Sequence, residues 1–106
     1  MKGQETYGLP QHAIEKINSI FRNYPAIKKV IIYGSRAKGN YRPGSDIDLC
    51  IEAEQLNITE LLKIENQLDD LMLPWKIDLS HKDKIDNTQL LEHINRVGLE
   101  FYHQIL

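Results

Sequence analysis

Two periods alternate along this chain. Ala13, Ile14, Ile17, Ile20 and Phe21 recur at helical spacing after Pro10 and stop before Pro25, which predicts a helix over residues 11–23. Lys28 to Tyr33 is a short run rich in β-branched residues, apolar on both faces and ending at Gly34, the pattern of a central strand. Asp46 to Ala53 alternates, with Ile47, Leu49 and Ile51 on one face and Asp46, Asp48, Cys50 and Glu52 on the other, so a half-buried strand is expected. Asn57 followed by Glu60 is a capping pair for a helix carrying Ile58, Leu61, Leu62, Leu68, Leu71 and Met72 and ending near Pro74. Lys76 to Ser80 repeats the alternation, with Ile77 and Leu79 inward and Asp78 opposite. Leu90, Leu91, Ile94, Val97 and Phe101 predict a closing helix over residues 87–103, with Asp86, Asn87 and Thr88 as candidate caps. Strands alternating with helices imply an α/β (α+β) layer structure rather than a bundle or a sandwich.

The chain is 106 residues long, room for one core, so a single domain over residues 1–106 is expected. Neither repeats nor Pro/Gly/Ser-rich linkers divide it. Thirteen Lys and Arg against fifteen Asp and Glu give a net charge of -2, too balanced to hold nucleic acid by global charge, so strong direct nucleic-acid binding is not expected. The apolar runs fall far short of a membrane span, and Met1 to Gly8 is too polar for a secretory signal. Cys50 is the only cysteine, which excludes an internal disulfide and suits a cytoplasmic protein.

Charge is distributed unevenly where chemistry is expected. Between Tyr24 and Ser45 the chain carries Lys28, Lys29, Arg36, Lys38 and Arg42 and no acidic residue; Asp46, Asp48, Glu52 and Glu54 follow within nine positions. The Gly34-Ser35 turn comes straight after a buried strand, where glycine permits close backbone approach and exposed amides can receive a phosphate. Asp46 and Asp48, two apart on a strand, share a face and can bind one divalent cation or bracket two, Mg²⁺ being the natural choice for hard oxygen ligands. If the strands of Asp48 and Asp78 run side by side and parallel, Asp78 adds a third carboxylate at the same level. Three carboxylates around two metals suit in-line phosphoryl or nucleotidyl transfer.

Gly34-Ser35, ten intervening residues and Asp46-Ile47-Asp48 together resemble the signature of the polymerase-beta-like nucleotidyltransferase superfamily, with Asp78 in Trp75-Lys76-Ile77-Asp78-Leu79 as its third carboxylate. The short length, the Tyr33-Gly34-Ser35-Arg36-Ala37-Lys38-Gly39 loop and the Leu73-Pro74-Trp75 approach narrow the resemblance to the minimal nucleotidyltransferases, over about residues 10–104. The resemblance implies a small mixed sheet with helices mainly on one face, and an enzyme using ATP or another nucleoside triphosphate with Mg²⁺, two ions in all. It further implies an antitoxin that forms a hetero-oligomer with a helical HEPN-type toxin and transfers AMP to a tyrosine of that partner. Gly34 and Ser35 would hold the terminal phosphates, Asp46 and Asp48 both metals, and Asp78 the catalytic metal. Arg36, Lys38 and Arg42 correspond to the family's basic loop as nucleotide-binding residues. The alternative reading is a non-catalytic nucleotide-binding antitoxin that acts by steric complex formation.

Other polar positions have simpler readings. Lys28, Lys29, Glu52 and Glu54 read as solvated charges and Trp75 as a packed aromatic. Cys50 has no His or Asp arrangement that would make it a nucleophile, and the four histidines lack metal-ligand spacing. Arg96 and His103 share the spacing of the partner ribonucleases' motif by coincidence, because that motif belongs to an all-helical fold.

Overall fold

The helical and alternating stretches resolve, in a computed structural model that describes residues 5–105, into six strands and four helices. A small hairpin opens the described chain: β1 (Glu5–Thr6) and β2 (Leu9–Pro10) pair across Tyr7 and Gly8, both at positive φ, the geometry of a two-residue hairpin turn. The apolar stripe after Pro10 forms α1 (Gln11–Phe21), with Ala13, Ile14, Ile17, Ile20 and Phe21 buried. β3 (Ile27–Tyr33) leads through Gly34 into a one-turn helix, α2 (Ser35–Lys38). β4 (Ile47–Ala53) and α3 (Ile58–Asp69) follow, then β5 (Ile77–His81), a 3₁₀ turn over Lys82–Lys84, α4 (Thr88–Val97) and β6 (Leu99–His103). Asn57 and Glu60 form the expected reciprocal cap of α3, the Glu60 amide donating to Asn57 Oδ1 at 2.8 Å.

One mixed sheet of order β5-β4-β3-β6 organises the fold. β3 is the central strand its two-sided apolar run predicts, antiparallel to both β4 and β6, while β4 and β5 run parallel through the α3 crossover. Val30, Ile32, Ile47, Leu49 and Ile51 pack with α1 and α3 on one face, and α4 covers part of the other through Ile94, against Tyr33, Cys50 and Ile31. The helices therefore lie mainly on one face. Among the described residues, no helix is long and apolar enough to cross a membrane.

The closing helix is shorter than its apolar spacing predicts. It ends at Val97, and Gly98 turns the chain into β6, which pairs with the outer edge of β3. Phe101 falls seven residues after Ile94 and so continues the helical stripe in sequence, but β3 would otherwise leave a row of buried amides and carbonyls without partners. A bulge in this pairing, Tyr102 opposite Val30 and Glu100 opposite Ile31, leaves Phe101 as the extra residue, so Phe101 and Tyr102 both join the core on the α1 side.

Candidate active site

The end of the sheet where β3 stops and β4 and β5 begin gathers most of the chemistry the sequence suggests. β4 pairs with strands on both sides, and the register sets Asp48 opposite Tyr33 of β3 and opposite Asp78 of β5. Directly paired residues share a face, so the two carboxylates stand on the face away from Leu49 and Leu79. Asp46 lies just before β4, exposed, two positions from Asp48. The parallel arrangement of β4 and β5 is thus what brings the third aspartate level with the other two.

Gly34 makes room for this pair. It has φ 73° and ψ -154°, a conformation open to glycine and strained for other residues, and a Cβ built there would collide with Asp48 Oδ2. The half-buried Asp48 carboxyl is held above its ordinary range, first by burial and then by repulsion from Asp78 and Asp46. After Gly34, Ser35 opens α2, whose first amides have no carbonyl of their own turn to bond.

Tyr33 is the part of this site that sequence patterning missed. Its ring is buried, edge-on to His93 of α4 with centroids 6.1 Å apart, and its hydroxyl lies 3.5 Å from Ser80 Oγ. Burial, with Asp78 and Asp48 adding, raises this phenol, while the Ser80 contact lowers it in part. The available signal was its position in the alternation of β3, one step beyond Ile32 and in phase with Ile31. Cys50 sits on the same face behind Asp48 and is fully buried, in keeping with a bystander.

The basic residues part company. Lys38 and Arg42 are exposed on α2 and the loop after it. Arg36 is 2% exposed, and the expectation that it contacts nucleotide does not fit its geometry: its guanidinium faces inward onto backbone carbonyls. Nε and Nη2 donate to the Ser45 carbonyl at 3.1 and 2.9 Å, Nη2 also to Pro43 at 3.1 Å, and Nη1 to Tyr7 at 2.9 Å and Gly8 at 3.4 Å. Trp75, which precedes β5, donates from Nε1 to the same Pro43 carbonyl at 2.9 Å and packs against the core.

Asp46, Asp48 and Asp78 offer only hard carboxylate oxygens, the donor chemistry that Mg²⁺ takes, and the space left by Gly34 accommodates Asp48 among them. The three are neighbours and not a ready cage: among the described residues, no three His, Cys, Asp or Glu side chains stand at metal-ligand spacing. The donor set fits a hard divalent cation that keeps water or phosphate oxygens in its remaining positions.

Comparison with known proteins identifies a family and a fold. Residues 15–104 match the family described as Polymerase beta, Nucleotidyltransferase. A Methanocaldococcus jannaschii relative named "Putative protein adenylyltransferase MJ1217" is 33% identical over 82 residues, spanning 76% of this chain and 83% of its own. A second from the same organism, "Putative protein adenylyltransferase MJ0126", is 36% identical over 69 residues, 64% of this chain and 69% of its own. Among solved structures, a toxin-antitoxin with AMP-PNP superposes with a TM-score of 0.69 at 20% identity, covering 86% of this chain and 73% of that one. A tri-AMPylated Shewanella oneidensis HEPN toxin in complex with MNT antitoxin gives 0.66 at 20% identity, covering 89% and 72%. At that identity the two structures show a shared fold.

Proposed function

The chain belongs to the polymerase beta nucleotidyltransferase family, and from that premise we propose that it transfers AMP from ATP to a tyrosine of a helical HEPN-type toxin, as the antitoxin of the pair. The observation that carries the reading is the register of Asp48 with Asp78 beside the cradle at Gly34, because it sets two carboxylates next to a turn suited to phosphate. The relatives named as protein adenylyltransferases support AMP as the transferred group, and the toxin-antitoxin folds support the partner.

In this reading the Ser35 hydroxyl and the first amides of α2 bind the terminal phosphates, and the exposed Lys38 and Arg42 meet the rest of the triphosphate charge. Asp46 and Asp48 would hold both Mg²⁺ ions and Asp78 the catalytic one. When bound, Mg²⁺ supplies Lewis-acid stabilisation of the charge on the attacking and leaving oxygens. Asp78 lies on a separate strand from the phosphate turn, and in this reading its carboxylate assists in taking the proton from the acceptor tyrosine oxygen. That oxygen forms a bond to the α-phosphorus as the bond to the β-phosphate bridge breaks, and pyrophosphate leaves.

The test is to incubate wild type and Asp78→Asn with labelled ATP, Mg²⁺ and a helical HEPN-type toxin, then weigh the partner. Wild type adds one or more adenylyl groups; Asp78→Asn adds none and keeps most of its affinity for AMP-PNP. A tight complex that silences the partner with no gain in mass would replace the transferase by the steric antitoxin.

A further inference from the structure

We infer that Arg36 is a positioning residue, whose guanidinium holds the phosphate turn, the loop entering Asp46 and the segment entering Asp78 in one fixed arrangement; this rests on the nucleotidyltransferase reading of the site. A guanidinium has five N–H donors, and Arg36 makes five hydrogen bonds, all to main-chain carbonyls. Its carbon lies 5.2 Å from the centroid of the Tyr41 ring and 5.8 Å from that of Trp75. Burying a cation is costly, and saturated donors with two aromatic rings close by offset that cost. Such an arrangement leaves no donor for a phosphate.

What the clamp touches gives it consequence. Arg36 is the second residue of α2, the helix that opens on the Gly34-Ser35 turn. The carbonyl receiving two of its bonds belongs to Ser45, and the next residue is Asp46. The Pro43 carbonyl is shared with Trp75, three residues before Asp78, and the Ile47 amide bonds the Lys76 carbonyl at 2.8 Å, joining the entries of β4 and β5. The Nη1 bonds to Tyr7 and Gly8 fasten the hairpin over the same point. Strand pairing sets Asp48 opposite Asp78, and the single planar group of Arg36 ties the approach to Asp46 and, through the shared Pro43 carbonyl, the approach to Asp78 to the phosphate turn. Lysine, a point charge with three donors and no fork, cannot reproduce it.

Arg36→Lys tests the inference with two readouts. Amide hydrogen exchange on nucleotide-free protein should accelerate over residues 40–46 by about tenfold or more, with the strands of the sheet unchanged. In transfer assays with ATP and Mg²⁺, kcat should fall roughly tenfold to a hundredfold while KM for ATP changes much less, since misplaced groups cost turnover more than binding. Exchange like wild type, or accelerated exchange with unchanged kcat, overturns the inference. A rise in KM with kcat intact also overturns it, by making Arg36 a direct nucleotide contact. If wild type transfers nothing, the transferase reading fails by itself and exchange alone decides the clamp. Should Arg36→Lys fail to fold by circular dichroism, Trp75→Phe, which deletes one bond to the Pro43 carbonyl, should show the same changes at smaller size; wild-type behaviour in that variant overturns the inference.

Discussion

Gly34 and Asp48 share one small volume: the space a Cβ on the first would need is held by Oδ2 of the second. The glycine therefore serves two ends, a backbone conformation that turns β3 into α2 and a recess for a carboxylate at the end of the sheet.

Gly34→Ala should accordingly harm both. The strained backbone costs roughly 1–3 kcal/mol, and Asp48 must leave its place. Urea denaturation should show that loss. Isothermal titration with Mn²⁺ and AMP-PNP should show binding weakened by more than the loss of stability explains, whereas unchanged affinity would move the site away from Asp48.

Asp48 carries a pH signature. Burial first, then Asp78 and Asp46, raise its folded-state pKa above the ordinary 3.8, so the fold prefers the protonated carboxyl. This contribution to stability is present below the unfolded value and is lost as pH rises through the folded one. Asp48→Asn, in chelator, should therefore melt higher than wild type at pH 7, with the gap closing toward pH 3. The group is partly open to solvent, so the gain stays under about 1 kcal/mol, or at most ~4–8 °C. A gap of equal size at both pH values would exclude the linkage.

Cys50 should be inert. Burial, the largest influence, pushes its thiol up to about 11, with Lys82 opposing and Glu52 and Asp83 adding. Roughly one thiol in a thousand is then ionised at pH 8, and it is shielded as well. A disulfide-exchange reagent should label native protein slowly and guanidinium-unfolded protein at once; rapid native labelling would mean that the α4 side opens.

Asn57→Ala removes the cap on α3, whose apolar side packs on the sheet face away from the aspartates. It should cost about 1 kcal/mol in denaturant and leave transfer kinetics unchanged. A fall in kcat would instead couple α3 to the site.

Elements whose information is local were legible from the chain. The α1 stripe, the alternation of Ile47, Leu49 and Ile51, the Asn57 and Glu60 cap and the two-sided apolar run of β3 each state their own structure, because period and capping depend on neighbours a few residues away. So did the spacing from Gly34-Ser35 to Asp46 and Asp48, which falls within one strand-loop-strand unit. Tertiary structure decided the rest. Leu99 to His103 became a strand because β3 needed a partner on its outer edge, a demand that arises some seventy residues away and overrides the helical spacing of Phe101. Asp78 came level with Asp48 because β5 lies parallel to β4, a choice made by the α3 crossover and not written in either strand. Arg36 shows the same most plainly: in sequence it is one cation among several in a basic loop. Folding brings Tyr7, Gly8, Pro43 and Ser45 around it, and four converging carbonyls turn an expected phosphate ligand inward.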